Sequence, residues 1–431
     1  MEHNSKWAII EEERKGLIAL RDELHLSPIE DHFSIDNDHV VGLYLQQLDL
    51  DAVPPIIFKF TKLKVLYLGY NRITVLPDET GSFSDLEELV IEYNKIEVLP
   101  PAIGNLRNLR KLVLHQNFIT DLPPSIGNLY MLTELHLCDN KFQTFPEIIS
   151  RLERMRVLTL ASNELNDLPA TIGNLVNLEE LHLEHNKIAN IPDSIRKLAH
   201  LSKLFLDNND ITSIPDSFQN LSKLSKFTIH HNKLEDVPAS LGKIRRDELN
   251  LSHNNFSRFT ENLLSLRLLS RLVLSYNRID KIPPEIHDMT LEGELSALII
   301  DHNCLTALPE EIGYIYEVDA SYNQIRSPVS IMLDLARINE LNLANNQLTE
   351  LPRLLFQMPP GLRHLDQYLD VRNNPLRIKA QDIFAFFDDM YWICMLDLKA
   401  PVVTLIYDGG VYDTWAYLQK TPPRIPPEAG K

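Results

Sequence analysis

Residues 63 to 77 read Leu63-Lys64-Val65-Leu66-Tyr67-Leu68-Gly69-Tyr70-Asn71-Arg72-Ile73-Thr74-Val75-Leu76-Pro77, and this stretch decides the fold. Leu66 and Leu68 alternate with Val65, Tyr67 and Gly69, so a short strand has one apolar side to bury and one side left free. Asn71 follows, where a side-chain amide can satisfy backbone groups of a turn that no strand neighbour reaches. Ile73 and Leu76 turn inward again, and Pro77 fixes the backbone as it leaves. The other half of the unit is fullest at Leu99-Pro100-Pro101-Ala102-Ile103-Gly104-Asn105-Leu106, where apolar residues at 99, 103 and 106 have the spacing of one helical turn. A strand, a turn and a short helical segment therefore share an apolar side that one unit cannot bury alone.

The unit recurs. Asn71, Asn94, Asn117, Asn140, Asn163, Asn186, Asn209 and Asn232 each stand 23 residues after the last, and the series continues less evenly through Asn254, Asn277, Asn303, Asn323, Asn346 and Asn374. Upstream, Val40 to Lys62 fits the same frame with Leu48 where the asparagine belongs, which makes about fifteen units. Stacking buries the apolar sides against each other and aligns the strands in one parallel sheet with rungs about 4.8 Å apart. Such a sheet would be on the order of 65 Å long, the size of a protein partner rather than a metabolite.

This pattern resembles the leucine-rich repeat. Its second half, Leu-Pro-x-x-Ile-Gly-Asn-Leu at 99–106, 122–129 and 168–175, resembles the intracellular Ras-group subclass of Scribble-like proteins with 23-residue repeats. The resemblance implies an α/β solenoid, a horseshoe with one long parallel concave sheet and helical caps at both ends. It also implies protein recognition through the concave sheet, within signalling scaffolds around small GTPases or phosphatases. The sequence departs from the pattern at Thr260, where proline is missing, and at Pro328, one residue early; units ending near Glu294, Tyr314 and Leu365 have odd lengths.

Lys plus Arg is 42 and Asp plus Glu is 60 in 431 residues, a formal charge of −18 that disfavours phosphate backbones and anionic lipid. Neither nucleic-acid binding nor membrane insertion is expected. Apolar residues make up 44% and charged residues 24%, as in a soluble chain that buries a core. Cys138, Cys304 and Cys394 lie far apart and are odd in number, so a disulfide framework is not expected and a reducing, cytoplasmic setting is. The start of the chain carries Glu2, Glu11, Glu12 and Glu13 and lacks the basic start and apolar core of a signal peptide. Apolar runs such as Pro401 to Val403 fall far short of the roughly 20 residues that span a bilayer.

Three regions follow: an amino-terminal helical cap over 1–39, the solenoid over 40–388, and a carboxy-terminal cap with a possible hairpin and Pro-rich tail over 389–431. Residues 5 to 25 read as one helix capped by Ser5, with Ile10, Leu17, Leu20 and Leu24 as its apolar stripe, set as a lid on the first repeat. Residues 380 to 396, with Ile383, Phe384, Phe387, Tyr391 and Trp392, read as a second capping helix. Val402 to Tyr407 and Val411 to Leu418 flank Asp408-Gly409-Gly410 as a hairpin would. Thr421 to Lys431 is rich in proline, and Pro423-Arg424-Ile425-Pro426 is a minimal match to an SH3-type ligand.

The free face of the sheet comes from the third, fifth, seventh and eighth positions of each unit. Thirteen acidic and five basic residues fall there, a net −8, so the expected partner is a protein with a basic surface. Tyr44, Tyr67, Tyr70, Tyr93, Phe205, Tyr276 and Tyr322 are interspersed as candidate anchors, densest from Tyr44 to Tyr93 beside Glu92. His115, His136, His182, His185, His230, His231, His253 and His302 share the face, and four of them, His185, His231, His253 and His302, immediately precede a turn asparagine, where ring and polar side chains are commonplace in the family. If all eight gained charge between pH 7.5 and 5.5, attraction for a basic partner would fade.

Glu184, Asp207 and His230 occupy one column on successive strands with His182 nearby, a weak candidate for a divalent metal against the simpler reading of a polar ladder. No resident metal or cofactor is expected. Cys138 adjoins His115 and His136 but would lie on an open sheet with no oxyanion donors, so catalysis is not expected. The resulting reading is a monomeric intracellular scaffold or adaptor. The alternative is a bacterial-type effector or a non-catalytic subunit of an enzyme complex.

Overall fold

The computed structural model describes residues 9–244, 246–291, 294–309, 312, 315–326, 338–349 and 368–376, and the strands at 393–395, 405–407 and 410–412. The chain divides into two compact units, Met1–Ile229 and His230–Lys431.

In the first unit, helix α1 (Glu11–Leu24) is followed by an antiparallel pair, β1 (Phe33–Asp36) and β2 (His39–Tyr44). Asn37 and Asp38 join them with φ of 49° and 63°, the left-handed pair that a tight hairpin turn requires. Eight parallel strands of three residues follow: Val65–Tyr67, Glu88–Val90, Lys111–Val113, Glu134–His136, Val157–Thr159, Glu180–His182, Lys203–Phe205 and Lys226–Thr228, here β3 to β10. Each pairs with the next in register, as Leu66 with Leu89 and Leu89 with Leu112, so β1 to β10 form one ten-stranded sheet.

The repeat chemistry explains the register. The amide of Asn94 donates to the carbonyls of Leu68 at 2.9 Å, Glu92 at 3.1 Å and Ile91 at 3.3 Å, and accepts the N–H of Ile73 at 2.9 Å. One side chain thus ties two rungs together at a turn whose backbone groups lie out of reach of water. Pro100 and Pro101 start a 3-10 segment, Pro101–Asn105, and the N–H of Leu106 closes it on Ile103. Gly104 is needed there because a Cβ would stand 2.4 Å from the carbonyl oxygen of Ser125 on the next rung. Leu66, Leu68, Ile73, Leu86 and Leu89 are fully buried, which places the core between the strands and the 3-10 segments.

Helix α1 begins at Glu11 with Ile10 as its cap and no side-chain capping bond, so the expected start near Ser5 is corrected; Ser5 itself lies outside the described residues. Leu17 and Leu20 are buried as the stripe requires, but Ile10 is 41% exposed. Glu13 is buried instead. Its Oε2 accepts the N–H of Val40 at 2.7 Å and its Oε1 meets Nδ1 of His39 at 3.0 Å, so the carboxylate satisfies the backbone of β2 beneath the helix. The helix approaches closely through Gly16, where a Cβ would come within 3.0 Å of the Phe60 ring.

The second unit holds a seven-stranded parallel sheet: β11 (Arg246–Asn250), β12 (Leu269–Val273), β13 (Ala297–Ile299), β14 (Ile315–Asp319), β15 (Ile338–Asn342), β16 (Tyr368–Asp370) and β17 (Ile393–Met395). The described strands therefore form two such sheets where the sequence predicts one. The division coincides with the shortened step of 22 residues from Asn232 to Asn254. Ile244 there leaves its 3-10 segment extended, at φ −101° and ψ 115°.

At Thr260, where proline is missing, the threonine hydroxyl accepts the N–H of Leu263 at 3.3 Å and donates to Asp236 at 2.6 Å, capping a turn of α-helix, Glu261–Leu264. Ile393–Met395 pairs parallel with Tyr368–Asp370, so this part of the expected capping helix is a strand. The rest of that helix, together with Pro328, Tyr314, Leu365 and the Pro-rich tail, lies outside the described residues. Leu405–Tyr407 pairs antiparallel with Gly410–Tyr412 across Asp408-Gly409.

Candidate functional site

Because strand side chains alternate, the ten-stranded sheet presents one open file of residues per odd position, and the sequence-predicted residues collect there in three groups. The first lies on β2 to β5. The Tyr44 and Tyr67 rings meet edge to face at 5.4 Å, and the Tyr67 hydroxyl donates to Glu88 at 3.0 Å. Burial and that carboxylate push the phenol up to about 12, so Tyr67 keeps its proton and its donor role. Lys111 completes the group, 2.9 Å from Glu88. Tyr70 and Tyr93, at the left-handed turns that follow, stack face to face at 4.2 Å and 11°, yet are 45% and 43% exposed. Glu92 lies against Gly69, and burial raises its pKa, an effect that Lys111 partly offsets.

The second group is half-buried around Cys138. The N–H of Cys138 donates to Nδ1 of His115 at 3.2 Å, and the His115 and His136 rings stand 5.2 Å apart. Burial pushes the Cys138 thiol up to about 11, beyond what its bonds to Thr159 and Ala161 recover. A thiol held protonated in this way is not a nucleophile near neutral pH.

The third group lies on β8 to β10. His182 stacks on Phe205 at 4.4 Å, with the Lys226 ammonium 5.1 Å from the same ring. Lys203 pairs with Glu180 at 2.7 Å, and Nδ1 of His182 reaches Glu184 at 3.4 Å. Asp207 accepts the hydroxyl of Thr228. Among the described residues no group of three or more His, Cys, Asp or Glu is placed to hold a metal ion. Glu184 is turned to His182 and Asp207 to Thr228.

His230, Tyr276 and Tyr322 belong to the second unit. There Nδ1 of His230 and Nδ1 of His231 are 2.8 Å apart. His231, His253, Tyr276, His302 and Tyr322 form one continuous stack, with successive centroids 3.8, 4.2, 4.0 and 4.1 Å apart and planes within 15°. Sequence reading singled out the two tyrosines and took the three histidines as ordinary turn residues. The available signal was their recurrence at one position on consecutive turns. On the sheet beside them Arg271 bonds Glu317 and approaches Glu248 at 3.8 Å.

A model of the leucine-rich repeat region matches residues 54–164 and 138–246. A solved leucine-rich-repeat protein of Leptospira interrogans is 30% identical with a TM-score of 0.67, covering 82% of this chain and 95% of that one. An internalin of Listeria monocytogenes is 21% identical with a TM-score of 0.58, covering 78% and 95%. The complex of LRIM1 with APL1C offers a chain 20% identical with a TM-score of 0.67, covering 90% and 73%, and these last two likenesses are of fold alone. No curated protein sequence matches the chain. Among the described residues no helix is long and apolar enough to cross a membrane.

Proposed function

Because the chain belongs to the leucine-rich-repeat proteins, we propose that it is a non-catalytic scaffold or adaptor that holds a folded protein with a basic surface on the open face of its ten-stranded sheet. The observation that carries this is the pairing of Tyr44 with Tyr67 and of Tyr70 with Tyr93 beside Glu88 and Glu92. Large rings already held by each other lose little freedom on binding, and the flanking carboxylates favour a cationic partner.

In this reading the repeats are of the 23-residue Ras-group type, the chain is a monomer capped at its amino-terminal end by α1, and it works in small-GTPase or phosphatase signalling in the cytoplasm. The unpaired thiols of Cys138 and Cys304 support the reducing setting. The likeness to a Leptospira protein favours a second reading, a bacterial-type effector with the same binding face.

The test is capture of a partner from host extract by the native chain and by a Tyr70→Asn, Tyr93→Asn variant. Asparagine already occupies the equivalent left-handed position at Asn208, so the fold tolerates it. Loss of the captured protein is expected, whereas Val75→Asn, Val98→Asn should retain it; the reverse result would move the interface off this face.

A further inference from the structure

The ring column of the second unit is not a requirement of the turn that carries it. The same left-handed position holds Gln47, Gln116, Asp139, Ser162, Asn208, Asn345 and Asn373, with φ between 52° and 59°. Polar residues without rings therefore suffice, and for tyrosine this backbone is the less favoured choice. Rings nevertheless occupy five turns running, at His231, His253, Tyr276, His302 and Tyr322. Their faces cover each other, so the partner-facing surface is a row of edges: phenol oxygens and imidazole nitrogens, with Tyr276 46% and Tyr322 51% exposed.

The surface beside the column is low and negative. His230 stands beside His231, and from His253 onward the adjoining file is Ser252, Ser275, Asp301 and Ser321, continued by Ala344 beside Asn345, short side chains that leave room for a peptide main chain against the ring wall. Asp301 accepts the Ser275 hydroxyl and meets Nδ1 of His302 at 2.7 Å. Asp319, in the next file, accepts the Ser321 hydroxyl at 2.7 Å and the Asn342 amide at 2.9 Å. Neither carboxylate has a lysine or arginine partner among the described residues. Arg271 is engaged by Glu317, and Arg372 by Asp370 at 2.5 Å, so these cations do not offset Asp301, Asp319 or Glu340 by contact.

We propose that the stacked rings of His231 to Tyr322 and the file of Ser252 to Ala344 form a docking ledge for an extended, arginine-bearing segment of a partner protein. This deepens the binding reading above by giving the second unit an occupant of its own. Guanidinium presents planar, fixed N–H donors that match a row of ring-edge acceptors, while a lysine ammonium is a point charge without that geometry. The carboxylates supply the charge, and the stack is already ordered before binding.

The probe is a short fluorescein-labelled peptide of alternating arginine and serine, titrated into the full chain by fluorescence anisotropy beside its lysine counterpart. The variant carries His231→Asn, His253→Asn, Tyr276→Asn, His302→Asn and Tyr322→Asn, substitutions that introduce no new charge and suit the left-handed turn. Circular dichroism checks its fold, and Tyr276→Asn with Tyr322→Asn serves if the full set does not fold. Binding of the arginine peptide should weaken by about tenfold or more in the variant, and the lysine peptide should bind the native chain more weakly. Equal binding by native chain and variant, or equal binding of both peptides, would overturn the ledge in favour of diffuse negative charge. Tyr70→Asn with Tyr93→Asn should leave peptide binding intact even where it abolishes capture of the folded partner; loss of the peptide there would place the site in the first unit instead.

Discussion

Nδ1 of His115 accepts the backbone N–H of Cys138, and since an amide N–H can only donate, that ring nitrogen must keep its lone pair. Burial, with the nearby His136, pushes the His115 pKa down to about 4. His136 and His253 are lowered as well, each first by burial. The expectation that all eight open-face histidines charge together between pH 7.5 and 5.5 is therefore corrected at His115.

The shift has a signed effect on stability. Below the unfolded value near 6.5 the unfolded chain binds the proton that folded His115 refuses, so stability is full above that pH and declines as pH falls toward about 4. Melting temperature should drop across this window, and His115→Asn should make the drop shallower. An unchanged slope would mean that the imidazole is charged in the folded chain.

Asn117 tests the asparagine ladder. It is buried, donates to Ile91, Leu114 and His115 and accepts from Ile96, so Asn117→Ala leaves polar backbone groups without partners. A cost of about 1–3 kcal/mol is expected in urea unfolding. Asn117→Asp keeps the acceptor and loses the donors, and should recover only part of that loss.

Cys138 should resist alkylation. Its thiol, raised to about 11 by burial, carries almost no thiolate at pH 8, so iodoacetamide should label its peptide only once the chain is unfolded. Rapid labelling of the native chain would show that this part of the sheet opens.

Association with the folded partner should slow as salt rises, because complementary charge acts on encounter over roughly 8 Å at physiological ionic strength. Glu92→Lys, Glu184→Lys and Asp207→Lys together should weaken binding more than the same change at Asp78, Asp193 and Asp216 in the 3-10 segments. Equal effects would relocate the interface.

By itself the sequence determined the repeating unit, its stacking and the parallel register, because a spacing of 23 residues returns each leucine and each asparagine to the same place on every rung. It also placed Tyr44 and Tyr67 on the open side, since that follows from alternation. Only the tertiary structure decided which neighbours share a partner. In the sequence Glu13 is one of three successive glutamates, and only the packing of the helix on β2 singles it out as the partner of the Val40 N–H. Glu184 and Asp207 shared a column in the sequence, but a shared column gives no side-chain direction, and the structure pairs Glu184 with His182 and Asp207 with Thr228. The ring stack of the second unit depended on both: the sequence supplied a ring at each turn, and the left-handed backbone with a close rung spacing laid those rings face to face.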